Sequence, residues 1–449
     1  MIVYIFRSDA PPRVSIVESA KLAALFTARS RALSTLSLAA PRVPGTPQGL
    51  MLLLPCTLSV MGIVVLLPVL PQIMEHYNDV PNYRYLIQGG VLTMPALCIM
   101  LFSPLAGWLA DRFGRRNMLI ASMIVYAFVG IAPIFLENLY AIIATRVAVG
   151  LCEAVVMTVS TTMISDYFKG LAREKWLASQ TAVASVSSLF LIFTGGVLGS
   201  LYGWRGPFAV YLFGLLLAFG IWRLTWEPQS ESHGGSPENA DSSFADLNIV
   251  YFEFPWSRIA GICAITLFAS VMFYVVQTQN SLALNVLGIT DPKQLGTLTA
   301  LASLGVPIGT FIFRGLMRMP PGVLLFIEFA LIGGTYIGMG KAPHYEEFVA
   351  VAFFNQIGCG MILPTLLTWA TRGLAFDIRG RGNGVWTGVF AVGQFLSGIT
   401  VTYLGDQLGG LLPAMVALGF SSLAAAALAI VGYLIYRSMP GATSRPMTS

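Results

Sequence analysis

The 449-residue chain carries 26 Lys and Arg against 21 Asp and Glu, a formal net charge of +5, yet only 10% of it is charged and 56% is hydrophobic. Soluble domains carry about 25% charged residues, so too few remain here to cover a water-facing surface, and mean hydropathy is +0.74. A soluble fold is excluded, and the basic excess, which sits in short links between apolar runs, speaks of membrane topology rather than a nucleic-acid partner.

In chain order, residues 1–49 are rich in Ser, Ala and Arg and read as a basic tail, an amphipathic surface helix, a transit peptide, or a stretch preceding a true start at Met51. Apolar runs of about 20 residues, enough to cross ~30 Å of hydrocarbon, then predict spans at 50–73, 84–110, 117–136, 139–164, 175–203 and 207–227. A polar, acidic, turn-rich stretch over 228–255 reads as a flexible cytoplasmic linker. Further spans follow at 256–286, 294–313, 321–340, 345–370, 383–405 and 411–436, then a short tail over 438–449. The expectation is an all-α integral membrane protein of twelve helices, with six-helix bundles over 50–227 and 256–437.

Cytoplasmic loops accumulate Lys and Arg. With the N-terminus inside, only Arg84, Arg205, Lys293 and Lys341 fall outside and Arg146 falls within a span, so both termini are expected in the cytoplasm. Cys56, Cys98, Cys152, Cys263 and Cys359 lie far apart inside apolar runs without CxxC spacing, which suits small buried hydrophobes rather than disulfides or a metal site. A weak internal repeat supports two bundles. An offset of 202 carries Gly107 onto Gly309, Arg112 onto Arg314 and Arg116 onto Arg318, and one of 208 carries Gly150 onto Gly358 and Arg173 onto Arg381. Such repeats place a binding site at the bilayer midplane between two rocking halves.

The stretch Gly107-Trp108-Leu109-Ala110-Asp111-Arg112-Phe113-Gly114-Arg115-Arg116 resembles the loop signature of the major facilitator superfamily, G-x-L-x-D-R-x-G-R-[KR], at every position. Gly107 permits close helix approach, Gly114 a tight turn, and Asp111 with the arginines forms charge-assisted bonds at helix ends. The resemblance implies a cytoplasmic gate of Gly107, Asp111, Arg112, Gly114, Arg115 and Arg116 that latches the halves in the outward-facing state. Asp166, closing the fourth span, is expected to join it or to cap its helix.

Pro68-Val69-Leu70-Pro71 and Arg146-x-x-x-Gly150 narrow the likeness to the twelve-helix drug:proton antiporter branch, whose arginine at the latter position is associated with proton coupling. Glu153 stands out on physical grounds, because an ionisable group inside a span is costly and usually functional. It lies two helical turns from Arg146, ~10 Å by rise, so the two can share a polar cavity. Either Glu153 takes and releases the coupled proton, its proton affinity tuned by desolvation and by Arg146 or a cationic substrate, or it is a carboxylate satisfied by a neighbouring helix. Glu328, in the ninth span, is expected to be structural. The fifth span departs from the antiporter pattern, with Leu191-Ile192 where Gly-Pro is expected, which leaves the direction of transport open.

Tyr274, Gln277, Asn280, Asn355, Gln356, Trp386 and Gln394 are candidates for a substrate cavity, since amides and aromatics amid apolar walls suit an amphipathic organic compound. They could equally stitch helices together. His76, His233 and His344 have no paired nucleophiles, and no phosphate-binding glycine loop occurs, so neither an enzyme nor direct ATP use is expected. The leading expectation is a monomeric, proton-coupled exporter of a small organic compound in a bacterial inner (plasma) membrane. It needs no cofactor or metal and is driven by the proton gradient. Proton-coupled uptake of a metabolite and a non-transporting receptor of the same fold are the alternatives.

Overall fold

A computed structural model of the chain describes residues 44–228, 255–372, 374 and 376–438; most of the expected N-terminal tail, the linker interior and the C-terminal tail lie outside the described residues. From Thr46 onward the chain forms one compact unit. Its first half contains α1 (Thr46–His76), α2 (Tyr83–Phe113), α3 (Arg115–Phe135), α4 (Leu139–Tyr167) and α5 (Gly170–Tyr202). The last of this half, α6, begins as a 3-10 stretch, Gly203–Leu212, and continues as Phe213–Leu224. The second half contains α7 (Trp256–Val286), α8 (Pro292–Leu316), α9 (Pro321–Gly340), α10 (Tyr345–Thr371), α11 (Phe376–Leu408) and α12 (Leu411–Ser438).

Eleven described stretches are long and apolar enough to cross a membrane. One of them, Gly170–Leu224, has 55 residues, over twice the ~20 that a crossing needs. It turns at Gly203, whose φ of 68° is open to glycine at no steric cost. Counted as α5 and α6, it makes twelve passes.

Each half buries its own apolar cluster, one running from Leu52 to Ile221 and the other from Ile262 to Ala426. The pairing of helices repeats between them. In the first half α1 packs on α5, α2 and α3 on α4, and α3 on α6; adding six to each number gives the partners in the second half. Across the divide α5 meets α8 and α2 meets α11, a pair that the same exchange maps onto itself. A twofold pseudo-symmetric arrangement of two six-helix bundles follows.

Glycines set the close approaches, because without a Cβ the backbones can touch. A Cβ on Gly150 would come 2.7 Å from Pro95 Cα and 2.6 Å from Cys98 Cβ on α2, and one on Gly309 would strike the Ile357 carbonyl of α10. The repeat needs one adjustment. Gly358 faces Ile332 on α9, whereas Gly360 meets the Val306 backbone of α8, so the counterpart of Gly150 lies two positions further on. Helix α1 is broken by Pro55 and by Pro68-Val69-Leu70-Pro71, where a 3-10 turn, Leu67–Val69, replaces α-helix. Proline supplies no N–H to the helical ladder, so such breaks are its expected effect. Helix α5, with Ile192 where a proline was expected, runs unbroken over 33 residues.

Candidate functional site

Four helices of the first half converge on a buried polar core. Arg146 on α4 is wholly buried: its Nη1 donates to the Tyr211 hydroxyl at 2.7 Å and Nη2 to the Gly130 carbonyl at 3.3 Å. Its guanidinium lies over the Tyr211 and Phe208 rings, 4.9 and 5.2 Å from their centroids. The Tyr211 hydroxyl donates on to the Gly62 carbonyl of α1 at 3.3 Å. On the next turns of α4, Glu153 is 1% exposed and presses its carboxylate against Gly62, so closely that a Cβ there would collide with Oε1. Glu153 Oε1 has no hydrogen-bond partner, and neither does Arg146 Nε. Tyr126 of α3 donates to the Leu58 carbonyl of α1 at 2.8 Å. Arg146 and Glu153 are thus linked through Tyr211 and Gly62 without touching. Burying such groups is costly unless they are paired, so a carboxylate oxygen left without a donor marks a position where a proton or a helix movement can supply what is missing.

The Gly107–Arg116 loop makes the second cluster. Arg115 bridges two acids, donating to Asp111 Oδ1 from Nη2 at 2.9 Å and from Nε at 3.2 Å, and to Asp166 from Nη1. It thereby ties α2 and α4 to the start of α3. Gly114 adopts φ 90°, and the α3 N-terminus that it opens is capped by Glu227, whose carboxylate accepts from the Arg115 and Arg116 backbone N–H at 2.6 and 3.0 Å. An anion there answers the unpaired amides and the positive end of the helix dipole. Arg116 donates to the Trp222 carbonyl at 2.5 Å, and Arg112 lies over Trp108 and Phe113. Gly107 approaches Thr158 of α4 beside a cavity of about 70 Å³ lined also by Asp111 and Arg115. These partners all belong to the first half.

The described hydrogen bonds between the halves gather at the opposite end. Gln88 of α2 and Gln279 of α7, both 1% exposed, bond reciprocally, Gln88 Nε2 to Gln279 Oε1 at 3.2 Å and Gln279 Nε2 to Gln88 Oε1 at 3.0 Å. Gln88 sits in a π-helical stretch, Leu86–Thr93, a rare form found at functional positions. Thr93 donates to the Phe395 carbonyl of α11 at 3.2 Å, and Asp406 of α11 accepts from Arg84 at 3.2 Å and Tyr85 at 2.8 Å. Glycine removes the remaining bulk, Gly196 of α5 lying against Pro292 and Gly296 of α8.

The proposed cavity residues separate. Gln277 Nε2 donates to Gln356 Oε1 at 3.0 Å, joining α7 to α10, and Asn280 lies one turn along from Gln277. Tyr274 is 5.3 Å from Phe390, which stacks on Trp386 at 5.4 Å. Asn355 faces the other way: it donates to Thr335 Oγ1 at 2.9 Å and to the Ile332 carbonyl at 3.3 Å, which makes it a stitch to α9. Gln394 is half-buried on α11. Glu328 is fully buried and accepts from Thr365 at 2.5 Å, between α9 and α10. Sequence reasoning passed over Gln88, Tyr126, Tyr211 and Glu227. Gln88 could have been found as an isolated amide inside an apolar span, whereas the tyrosines look like ordinary core residues.

Residues 52–397 match the profile described as Major Facilitator Superfamily. The chain belongs to that family. As a facilitator-family member it is a multi-pass membrane transporter and not an enzyme. It is 26% identical over 355 residues to the bacillibactin exporter of Bacillus subtilis (strain 168), covering 75% of this chain and 84% of that one. It is 30% identical over 232 residues to the class C tetracycline resistance protein of Escherichia coli, an overlap of 49% of this chain that spans about half, 53%, of that relative. Among solved structures, a bacterial homologue of the human lysosomal transporter Spinster, in an inward-facing and unoccupied conformation, superposes with a TM-score of 0.71 at 17% identity, over 88% of this chain and all of that one.

Proposed function

We propose that this facilitator-family transporter exports a small organic compound in exchange for protons, by alternating access. The positive-inside rule puts the Gly107–Arg116 loop and both termini in the cytoplasm. The Gln88–Gln279 and Asp406 contacts then close the outer end, which supports an inward-facing reading of the conformation described. The observation that carries the coupling is Glu153, buried beneath α1 with an unpartnered oxygen and joined to Arg146 through Gly62 and Tyr211. Protonation neutralises the carboxylate and lets α1 lie close over it. Deprotonation leaves a charge that water, a shifted Arg146 or a re-aimed Tyr126 hydroxyl has to satisfy, which favours movement of α1 relative to α4. Likeness to a bacillibactin exporter and a tetracycline resistance protein supports the outward direction of cargo.

The test is Glu153→Gln in proteoliposomes with a panel of organic toxicants. Substrate exchange between equal pools is expected to persist while transport driven by a pH gradient is lost; gradient-driven transport at the wild-type rate would sink the proposal. One observation favours a second reading, proton-coupled uptake: α5 lacks the Gly-Pro of the antiporters and runs unbroken.

A further inference from the structure

A polar atom sealed from solvent without a hydrogen bond costs about 1–3 kcal/mol, so few survive unless something else pairs them. Among the described residues of the second half, such side chains on α7, α10 and α11 include Asn280, Gln356 and Trp386. Asn280, 1% exposed, has neither Nδ2 nor Oδ1 paired; Gln356, fully buried, has a free Nε2; and Trp386, 8% exposed, has a free Nε1–H. They are connected. Gln277, one turn before Asn280, donates to Gln356 Oε1 and so leaves only the Gln356 donor unused. Tyr274, one turn before Gln277, lies against Phe390, which stacks on Trp386 with an interplanar angle of 12°. The face is therefore an aromatic wall running into a patch of amides, with unpaired donors on Asn280, Gln356 and Trp386 and one unpaired acceptor, Asn280 Oδ1.

Charge is missing from it. No Asp, Glu, Lys or Arg occurs in 259–286 of α7, 348–371 of α10 or 382–405 of α11. Among the described acids of this half, Glu328 is the buried one; it lies between α9 and α10, where Oε1 accepts from Thr365 and Oε2 is unpaired. A cation held here would find no carboxylate on these stretches, only ring faces, and an anion no guanidinium or ammonium.

From this geometry we infer that the second half carries a binding face, lined by Tyr274, Phe390, Trp386, Gln277, Gln356 and Asn280, for an uncharged, planar aromatic compound rich in hydrogen-bond acceptors. The ring stacks on the aromatic wall and its carbonyl or ether oxygens take the donors of Asn280, Gln356 and Trp386. The inference rests on reading the chain as a transporter of organic compounds, and it adds the class.

Binding to the purified full-length protein in detergent, without any gradient, tests it separately from coupling. The probes are three coumarins of one size: neutral 7-methoxycoumarin, anionic coumarin-3-carboxylate and a cationic 7-trimethylammonio derivative. The neutral compound is expected to bind at least tenfold more tightly than either charged one. Trp386→Phe, which keeps the ring and removes the N–H, and Asn280→Leu are each expected to weaken it three- to tenfold. Asn280→Leu should also hold or raise the thermal midpoint of the ligand-free protein by removing two unpaired atoms, whereas a merely structural Asn280 would lower the midpoint and leave binding unchanged. Equal or tighter binding of a charged coumarin, no binding of any of the three, or neutral binding unmoved by both substitutions would overturn the inference. Neutral binding as expected together with no proton-driven transport would instead reject the export reading and leave this one standing.

Discussion

Gly62 and Glu153 are the residues on which the first half turns. A glycine inside a membrane helix is ordinary, but here the missing Cβ is the space that the carboxylate occupies. Gly62→Ala is therefore expected to destabilise the protein by about 1–3 kcal/mol, as overpacking of a filled core does. Glu153→Ala should recover most of that loss when the two are combined, since contacting residues are strongly non-additive. Thermal unfolding in detergent of the wild type, both single variants and the double variant measures this. Additive losses would mean that Gly62 does not accommodate the acid. Arg146 differs in kind, because two bonds and two aromatic faces hold its guanidinium in place. In the proposed cycle Arg146 stays in place, while Glu153, with a free oxygen, is the group that changes.

At the scale of helices, the contact between the halves is polar at its core and glycine-lined around it. The reciprocal Gln88–Gln279 pair is fully desolvated, so removing one partner strands the other amide at about 1–3 kcal/mol, whereas replacing both with apolar groups of similar size is nearly neutral. Gln88→Leu or Gln279→Leu alone is expected to shift the protein away from the conformation closed at this end, and Gln88→Leu with Gln279→Leu to restore it. Spin-label distances across α2 and α11 near Arg84 and Asp406 read this directly. A single variant with wild-type distances would show that the amides do not hold the end shut. The Arg84–Asp406 pair, with side chains 56% and 37% exposed, adds little beside it, as surface ion pairs contribute about 0–1 kcal/mol. On α5, Gly196 does for α8 what Gly62 does for Glu153, and the missing proline leaves that contact straight.

For the whole molecule, the architecture was legible because hydropathy acts over twenty residues at a time, and the Arg115 cluster with Asp111 and Asp166 because its signature is local and complete. Positions that depend on which way a side chain leaves its helix were not. Asn355 and Gln356 are adjacent amides, yet one stitches α10 to α9 and the other joins Gln277 on α7, a difference of about 100° around the helix that composition does not carry. Gly358 and Gly360 divide in the same way. The boundary expected between 203 and 207 falls at the turn of Gly203.

What joins these scales is the proposal that a proton on Glu153 is exchanged for cargo as the two halves rock. The measurement that bears on it most directly is internal pH, followed with an enclosed dye in proteoliposomes of the full-length protein, as a compound it moves is added on one side without a pH gradient. Exchange predicts proton flux opposite to the compound and its loss in Glu153→Gln. Protons moving with the compound, or no proton movement while the compound crosses, would contradict it.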